Sequence, residues 1–166
     1  DDWHLVGVYD CPRPLGKNAS MRVGGDLLIL TEEGIIPISS IIQKDPAALA
    51  LSAISRAIEP EWRRQALARR SFPWQMIKWT DRSMGIVNVP VTTPLDEPYC
   101  YVVNLESGAW ARYTGWDTRC LHVFQEWGFF GTNDGRVMRM ESGGTDDGDP
   151  YEAVLINHFD HLDAPG

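Results

Sequence analysis

What most constrains this chain is the rhythm of its second half. From about residue 74 to residue 140, short runs rich in β-branched and aromatic residues recur roughly every ten positions, each closed by a turn signal. "WQMIKWT" turns at Asp81-Arg82 and "MGIVNVPV" turns through Pro94 to Pro98. "YCYVVNL" turns at Glu106-Ser107-Gly108 into "AWARYTGW". "CLHVFQE", "GFFGT" and "RVMRME" then continue across Gly128 and the Asn133-Asp134-Gly135 turn. A chain that reverses so often on strands so short forms an antiparallel meander, as in sandwiches, barrels and propeller blades.

The first forty residues read the same way. "HLVGVYD" is strand-like, "CPRPLGKNAS" is a Pro-rich turn, and "MRVGGDLLILTEEGIIPISSII" supplies further strands around Gly24-Gly25 and Glu33-Gly34. Three or four short antiparallel strands are expected there. The character changes at Asp45-Pro46, where Asp can accept the orphan amides of a helix start and Pro has φ preset for a first helical position. "AALALSAISRAI" follows with Leu51, Ile54 and Ile58 at helical spacing, and Glu59-Pro60 interrupts it. "EWRRQALARR" is a second short helix with Trp62 and Ala66 facing inward. The 166 residues therefore read as one mainly β domain, or part of a larger protein, with a helical hairpin inserted at about residues 46–70. Asp1 in place of Met points to a chain trimmed from something longer.

One phrase occurs twice. "LILTEEGIIPI" and "FFGTNDGRVMRM" each set a Thr three residues before a Gly between apolar flanks, as Thr31-x-x-Gly34 and Thr132-x-x-Gly135. A recurring strand, turn and strand is expected where like units stack on one another, because one such unit cannot bury its face alone. Gly34, Gly108 and Gly135 are the residues expected to reverse the chain, since glycine takes positive φ without steric penalty.

Several function classes find no support. A net charge of -8 opposes a nucleic-acid surface, which needs clustered Lys and Arg, and Arg63-Arg64 with Arg69-Arg70 read as a solvated helix face. No run approaches the roughly twenty apolar residues of a membrane span. Cys11, Cys100 and Cys120 have no C-x-x-C pair and read as buried or partly buried free thiols in a reducing compartment, while their spacing alone leaves one disulfide open. There is no G-x-S-x-G elbow, Walker loop, G-x-G-x-x-G or H-E-x-x-H, so no catalytic, cofactor-binding or metal residue is assigned. His158, Asp160, His161 and Asp163 are chemically capable ligands whose spacing divides them between two strand faces. Asp146, Asp147, Asp149 and Glu152 surround Gly148 without EF-hand spacing and read as a plain turn. Asn18-Ala19-Ser20 fits a glycosylation acceptor on a three-residue pattern alone.

The aromatics crowd one stretch: Trp110, Tyr113, Trp116, Trp127, Phe129 and Phe130. Large rings are more often buried than presented, so Trp110, Tyr113, Trp116 and Trp127 are read as packing or interface residues. The competing reading is a sugar platform, with Asp117 or Asp134 supplying carboxylates.

Taken in order, "LLILTEEGIIPIS", "LALSAISRAI", "WQMIKW", "MGIVNVP", "YVVNLESGAWARYTGWDTRCL" and "FFGTNDGRVMRMESGGTDDGDPYEA" resemble virion proteins of tailed bacteriophages and prophages. These are tail-associated or head-completion proteins with propeller-like β repeats, and the resemblance spans about Leu27 to Tyr151. It implies antiparallel propeller-like blades and a structural role without catalysis or cofactor. Other virion proteins, and copies of the chain itself, are the implied partners, with no nucleic acid and no membrane. The implied location is the virion, and the bacterial cytoplasm during assembly. Complete propellers have about four or more blades, and this chain has strands for two or three. Two other readings stand beside it: a carbohydrate-binding or glycan-degrading phage tail component, and a cellular β-propeller scaffold.

Overall fold

Apolar runs come in two kinds here, and the layering of the fold accounts for the difference. In "MGIVN" and "YCYVVN" apolar residues follow one another almost unbroken, whereas "TRCLHVF" alternates. A strand covered on both sides shows the first pattern and a strand with one wet face the second. The computed structural model describes residues 7–43 and 53–150 and arranges them as three antiparallel sheets with two α-helices. The first sheet is β1 (Ser20–Val23), β2 (Asp26–Thr31) and β3 (Gly34–Pro37). The second is β4 (Gln75–Trp79), β5 (Met84–Asn88), β6 (Tyr99–Asn104) and β7 (Trp110–Thr114). The third is β8 (Thr118–Phe124), β9 (Trp127–Thr132) and β10 (Val137–Arg139). Each is a simple meander in chain order.

The second sheet lies between the other two. Val87, Tyr99 and Tyr101 face the first sheet and pack on Leu28, Leu30 and Ile35. Ile86, Cys100 and Val102 face the third and pack on Leu121 and Phe130. Both faces of β5 and β6 are therefore dry, and each fully buried large apolar side chain contributes about 1.5–3 kcal/mol. β1 lies beside β4, and β4 beside β8, so the leading strands of the three sheets are neighbours. The amide of Met76 donates to the Asn18 carbonyl at 3.0 Å across the first of these joins.

Helices close one end of this stack. α1 (Ile38–Gln43) places Ile41 with Ala53 over Ile29 and Ile36, on the side of the first sheet away from the second. α2 (Glu59–Ala68) sends Trp62 and Ala66 into the core, as their spacing predicts, and both are fully buried. The Trp62 indole donates to the Thr31 carbonyl at 3.0 Å.

Some local expectations are corrected. "ISSII" continues no strand: it forms α1, because Asp26 accepts from both the Ser39 amide at 3.2 Å and the Ser39 hydroxyl at 2.5 Å and so turns the chain there. Glu59-Pro60 does not interrupt a helix but opens α2, with Pro in the first turn, where its missing N–H costs nothing, and Glu59 and Glu61 at the positive end of the dipole. Ile54–Ile58 is a 3-10 helix, and residues 44–52 of the expected first helix lie outside the described residues. Residues 7–10 form no strand, and the remainder of that expected strand is likewise outside.

Gly128 is not a turn. The reversal between β8 and β9 falls on Gln125 and Glu126, with φ of 46° and 71°, and the Trp79 indole holds it by donating to the Glu126 carbonyl at 2.8 Å. Gly128 lies inside β9 because a Cβ there would stand 2.8 Å from the Met140 sulfur and 3.1 Å from the Trp79 ring.

Candidate functional site

The two Thr-x-x-Gly phrases share their chemistry and differ in geometry. Thr31 and Thr132 are both buried, and each hydroxyl closes its own hairpin. Thr31 donates to the Gly34 carbonyl at 2.9 Å and accepts from the Glu33 amide at 3.3 Å, around the two residues Glu32 and Glu33. Thr132 accepts from the Arg136 amide at 2.9 Å around the longer loop Asn133, Asp134 and Gly135. The repetition is thus of a hairpin closed by a buried Thr, on turns of different length. Gly34, Gly108 and Gly135 have φ of 140°, 71° and 88°, so all three occupy positive-φ positions at strand reversals. At Gly108 the reversal is further held by the Asn104 side chain, which accepts from the Glu106 and Ser107 amides at 2.9 and 2.8 Å.

The crowded aromatics do not form one platform. Trp110 packs on the core between the first and second sheets, edge-on to Tyr101, and its indole donates to the Ile54 carbonyl at 3.3 Å. Tyr113 and Trp116 meet edge to face at 5.1 Å, and Trp116 stacks on Phe130 at 5.1 Å with planes 12° apart. Trp127 stands apart on β9 under the Arg139 guanidinium, 4.6 Å from its ring centre.

Tyr113, Trp116 and Phe130 line an open cleft of about 790 Å³, with Glu141 and Asp146 on its acidic side. The Tyr113 hydroxyl donates to Glu141 at 3.0 Å, and burial followed by that carboxylate pushes its pKa up, so the phenol remains a donor. Asp117 and Asp134, the expected sugar-platform carboxylates, do not line this cleft. Asp117 accepts from Asn133, and Asp134 accepts from the Thr132 hydroxyl and from Arg136 at 2.8 Å. The Thr132 hydroxyl, then the guanidinium, holds Asp134 below the usual carboxylate range.

The feature that sequence reading missed is the outer face of the third sheet. Register puts Cys120, His122, Phe124, Trp127, Phe129, Val137 and Arg139 on the side opposite Leu121, Phe130 and Thr132. Nothing in the described residues layers over it as the helices layer over the first sheet. Phe124, Trp127 and Val137 are 60%, 44% and 74% exposed. The signal was present as the alternation of β8 and β9, but which half of an alternating strand is left bare depends on the sheet behind it.

Thiols and ligand clusters complete the inventory. The three cysteines are free, but only Cys100 is buried, and burial pushes its thiol up to about 12. Cys11 and Cys120 are exposed, which corrects the expectation of burial, because Cys11 precedes the first strand and Cys120 occupies the outer face of β8 at a bulge. Among the described residues no three His, Cys, Asp or Glu side chains converge as a metal site, and no helix is long and apolar enough to cross a membrane. His158, Asp160, His161, Asp163 and Glu152 lie outside the described residues. Comparison with protein-family models, with curated proteins and with solved structures finds no match.

Proposed function

We propose that this chain is a structural component of a tailed-phage or prophage particle, working through contacts with other virion proteins and with copies of itself, without turnover. The observation that carries the reading is the asymmetry of the stack. Ile41 of α1 and Ala53, just before the 3-10 turn, cover the outer side of the first sheet, while the last sheet presents Phe124, Trp127 and Val137 on an uncovered face. Stacked β units need a cap at each end or a neighbour, and a bare terminal face is a place for the neighbour. The finer architectural reading is that the three sheets are consecutive propeller-like blades whose leading strands β1, β4 and β8 surround an axis. The chain acts in the virion and, during assembly, in the bacterial cytoplasm. Mass spectrometry of purified, DNA-filled particles tests this: the peptide "YTGWDTR", residues 113–119, is expected at a fixed ratio to the major capsid protein. Particles lacking it, from cells whose lysate contains it, contradict the reading.

One observation favours the carbohydrate-binding alternative. The Tyr113 and Trp116 cleft is of ligand size and combines aromatic rings with carboxylates. A glycan array discriminates, since a sugar site requires saturable binding that disappears in Trp116→Ala while the fold persists.

A further inference from the structure

Four cations converge where the chain as a whole is acidic. Arg13 and Lys17 precede β1, Arg70 follows α2, and Arg119 lies on β8, and together they line an open groove of about 630 Å³ between the leading ends of the three sheets. No Asp or Glu lines that groove. The chain's net charge is -8 and these four contribute +4, so the rest of it carries -8 - 4 = -12. Arg64, Arg69, Arg82, Arg112 and Arg136 each have a carboxylate within ion-pair distance. Among the described residues the four groove cations have none, as is also the case for Arg22, Arg56, Arg63, Lys78 and Arg139, and Arg119 hydrogen-bonds the neutral Asn133 side chain at 3.2 Å. Like charges gathered in a concavity repel and focus a positive potential there, so the groove favours an anionic occupant. The positions lie far apart in sequence, and no local motif announces them.

The chemistry of that occupant follows from the surroundings. Duplex nucleic acid presents a charge about every 1.7 Å along a long track, and a body carrying -12 around one small groove opposes it. A short carboxylate-bearing turn of polypeptide matches the groove in size and charge. This chain contains such a turn at residues 146–149. The Asp146 and Asp149 amides each donate to the other residue's carbonyl, at 2.8 and 2.9 Å, and Asp147 and Gly148 take φ of 49° and 94° between them. It is exposed and already closed, so little ordering cost remains when it binds. The Asp147 carboxylate is held by Arg136 at 2.6 Å, whereas those of Asp146 and Asp149 have no side-chain partner among the described residues. Side-chain bonds at the β9–β10 loop reach towards both: Arg119 of the groove binds Asn133 at the start of the loop, and Arg136 at its close binds Asp147 of the turn.

We infer that the basic groove formed by Arg13, Lys17, Arg70 and Arg119 receives the 146–149 turn of a second copy, each copy serving the other in a two-fold pair. This deepens the self-association named in the proposed function, and its test on isolated protein is independent of whether the chain enters particles. Sedimentation of the full chain is expected to show a dimer at about 50 mM salt that dissociates at about 500 mM, where the screening length falls to a few ångströms. R70E/R119E and D146K/D149K are each expected to sediment as monomers with unchanged melting temperature. An equimolar mixture of the two is expected to regain the dimer mass, because both contacts then pair opposite charges. A wild-type monomer at both salts overturns the inference, as does a D146K/D149K variant that still dimerises. Fluorescence anisotropy in which a DNA duplex binds the wild type but not R70E/R119E, without self-association, overturns it in favour of a nucleic acid.

Discussion

The side-chain amide of Gln75 binds the backbone of Leu121 as a strand neighbour would, donating to its carbonyl at 2.7 Å and accepting from its amide at 2.9 Å. Gln75 begins β4 and Leu121 is central in β8, so this pair ties the second sheet to the third at the leading strands. Gln75→Met keeps the volume and orphans both backbone groups, which is expected to cost about 1–3 kcal/mol. Urea denaturation measures it, and an unchanged midpoint would mean that water replaces the amide without loss.

Trp62 and Trp110 differ in what they lose on truncation. Trp62 is fully buried and its indole satisfies the Thr31 carbonyl, so Trp62→Ala is expected to destabilise by about 3–5 kcal/mol. Trp110 only flanks that core, and Trp110→Ala is expected to cost about 1–2 kcal/mol. The comparison is made by denaturant unfolding of both variants, and the order is the prediction.

Two glycines at positive φ carry different penalties. A Cβ at Gly34 would lie 2.6 Å from the Ala53 Cβ and 2.7 Å from the Ser55 hydroxyl, on top of a φ of 140°. At Gly135, with φ of 88°, it would meet nothing within 4 Å. Gly135→Ala is therefore expected to cost only backbone strain, about 1–2 kcal/mol, and Gly34→Ala clearly more. Thermal melts of the two variants side by side decide this.

Asp96 organises the loop between β5 and β6. It accepts from the Thr92 hydroxyl at 2.7 Å, from the Thr92 and Thr93 amides, and lies 3.5 Å from Arg69. The Thr92 hydroxyl, then the Thr92 amide, lowers its pKa from 3.8 to about 2. A carboxylate depressed in the folded state stabilises fully above its unfolded pKa and loses that contribution as pH falls through the folded one. The melting-temperature gap between wild type and Asp96→Asn should thus be constant above about pH 4 and narrow towards pH 2. A gap that does not change with pH would show that the carboxylate's charge is not what the loop uses.

The strand order, the antiparallel meander and the inward Trp62 were legible in the sequence because each rests on local period and turn chemistry. What was not legible depends on distant partners. Gln125 and Glu126 carry no turn signature, and their positive φ is sustained by Trp79, more than forty positions earlier. Gly128 looks like punctuation but serves the close approach of Met140 and Trp79. The aromatic stretch from Trp110 to Phe130 is continuous in sequence, yet strand alternation and separate sheets send Trp110, Trp116 and Trp127 to three surroundings. The basic groove gathers residues from all three sheets' leading ends, which no window of sequence spans.

We propose that the uncovered face of the third sheet joins this chain to a virus particle. The direct measurement is quantitative mass spectrometry of purified particles assembled with either the wild type or F124D/V137D, whose substituted side chains are exposed, so that the monomer's melting temperature is expected to stay unchanged. A fixed copy number is expected for the wild type, together with loss of the folded variant from particles. Wild-type chain absent from particles, or the variant incorporated at the same copy number, contradicts it.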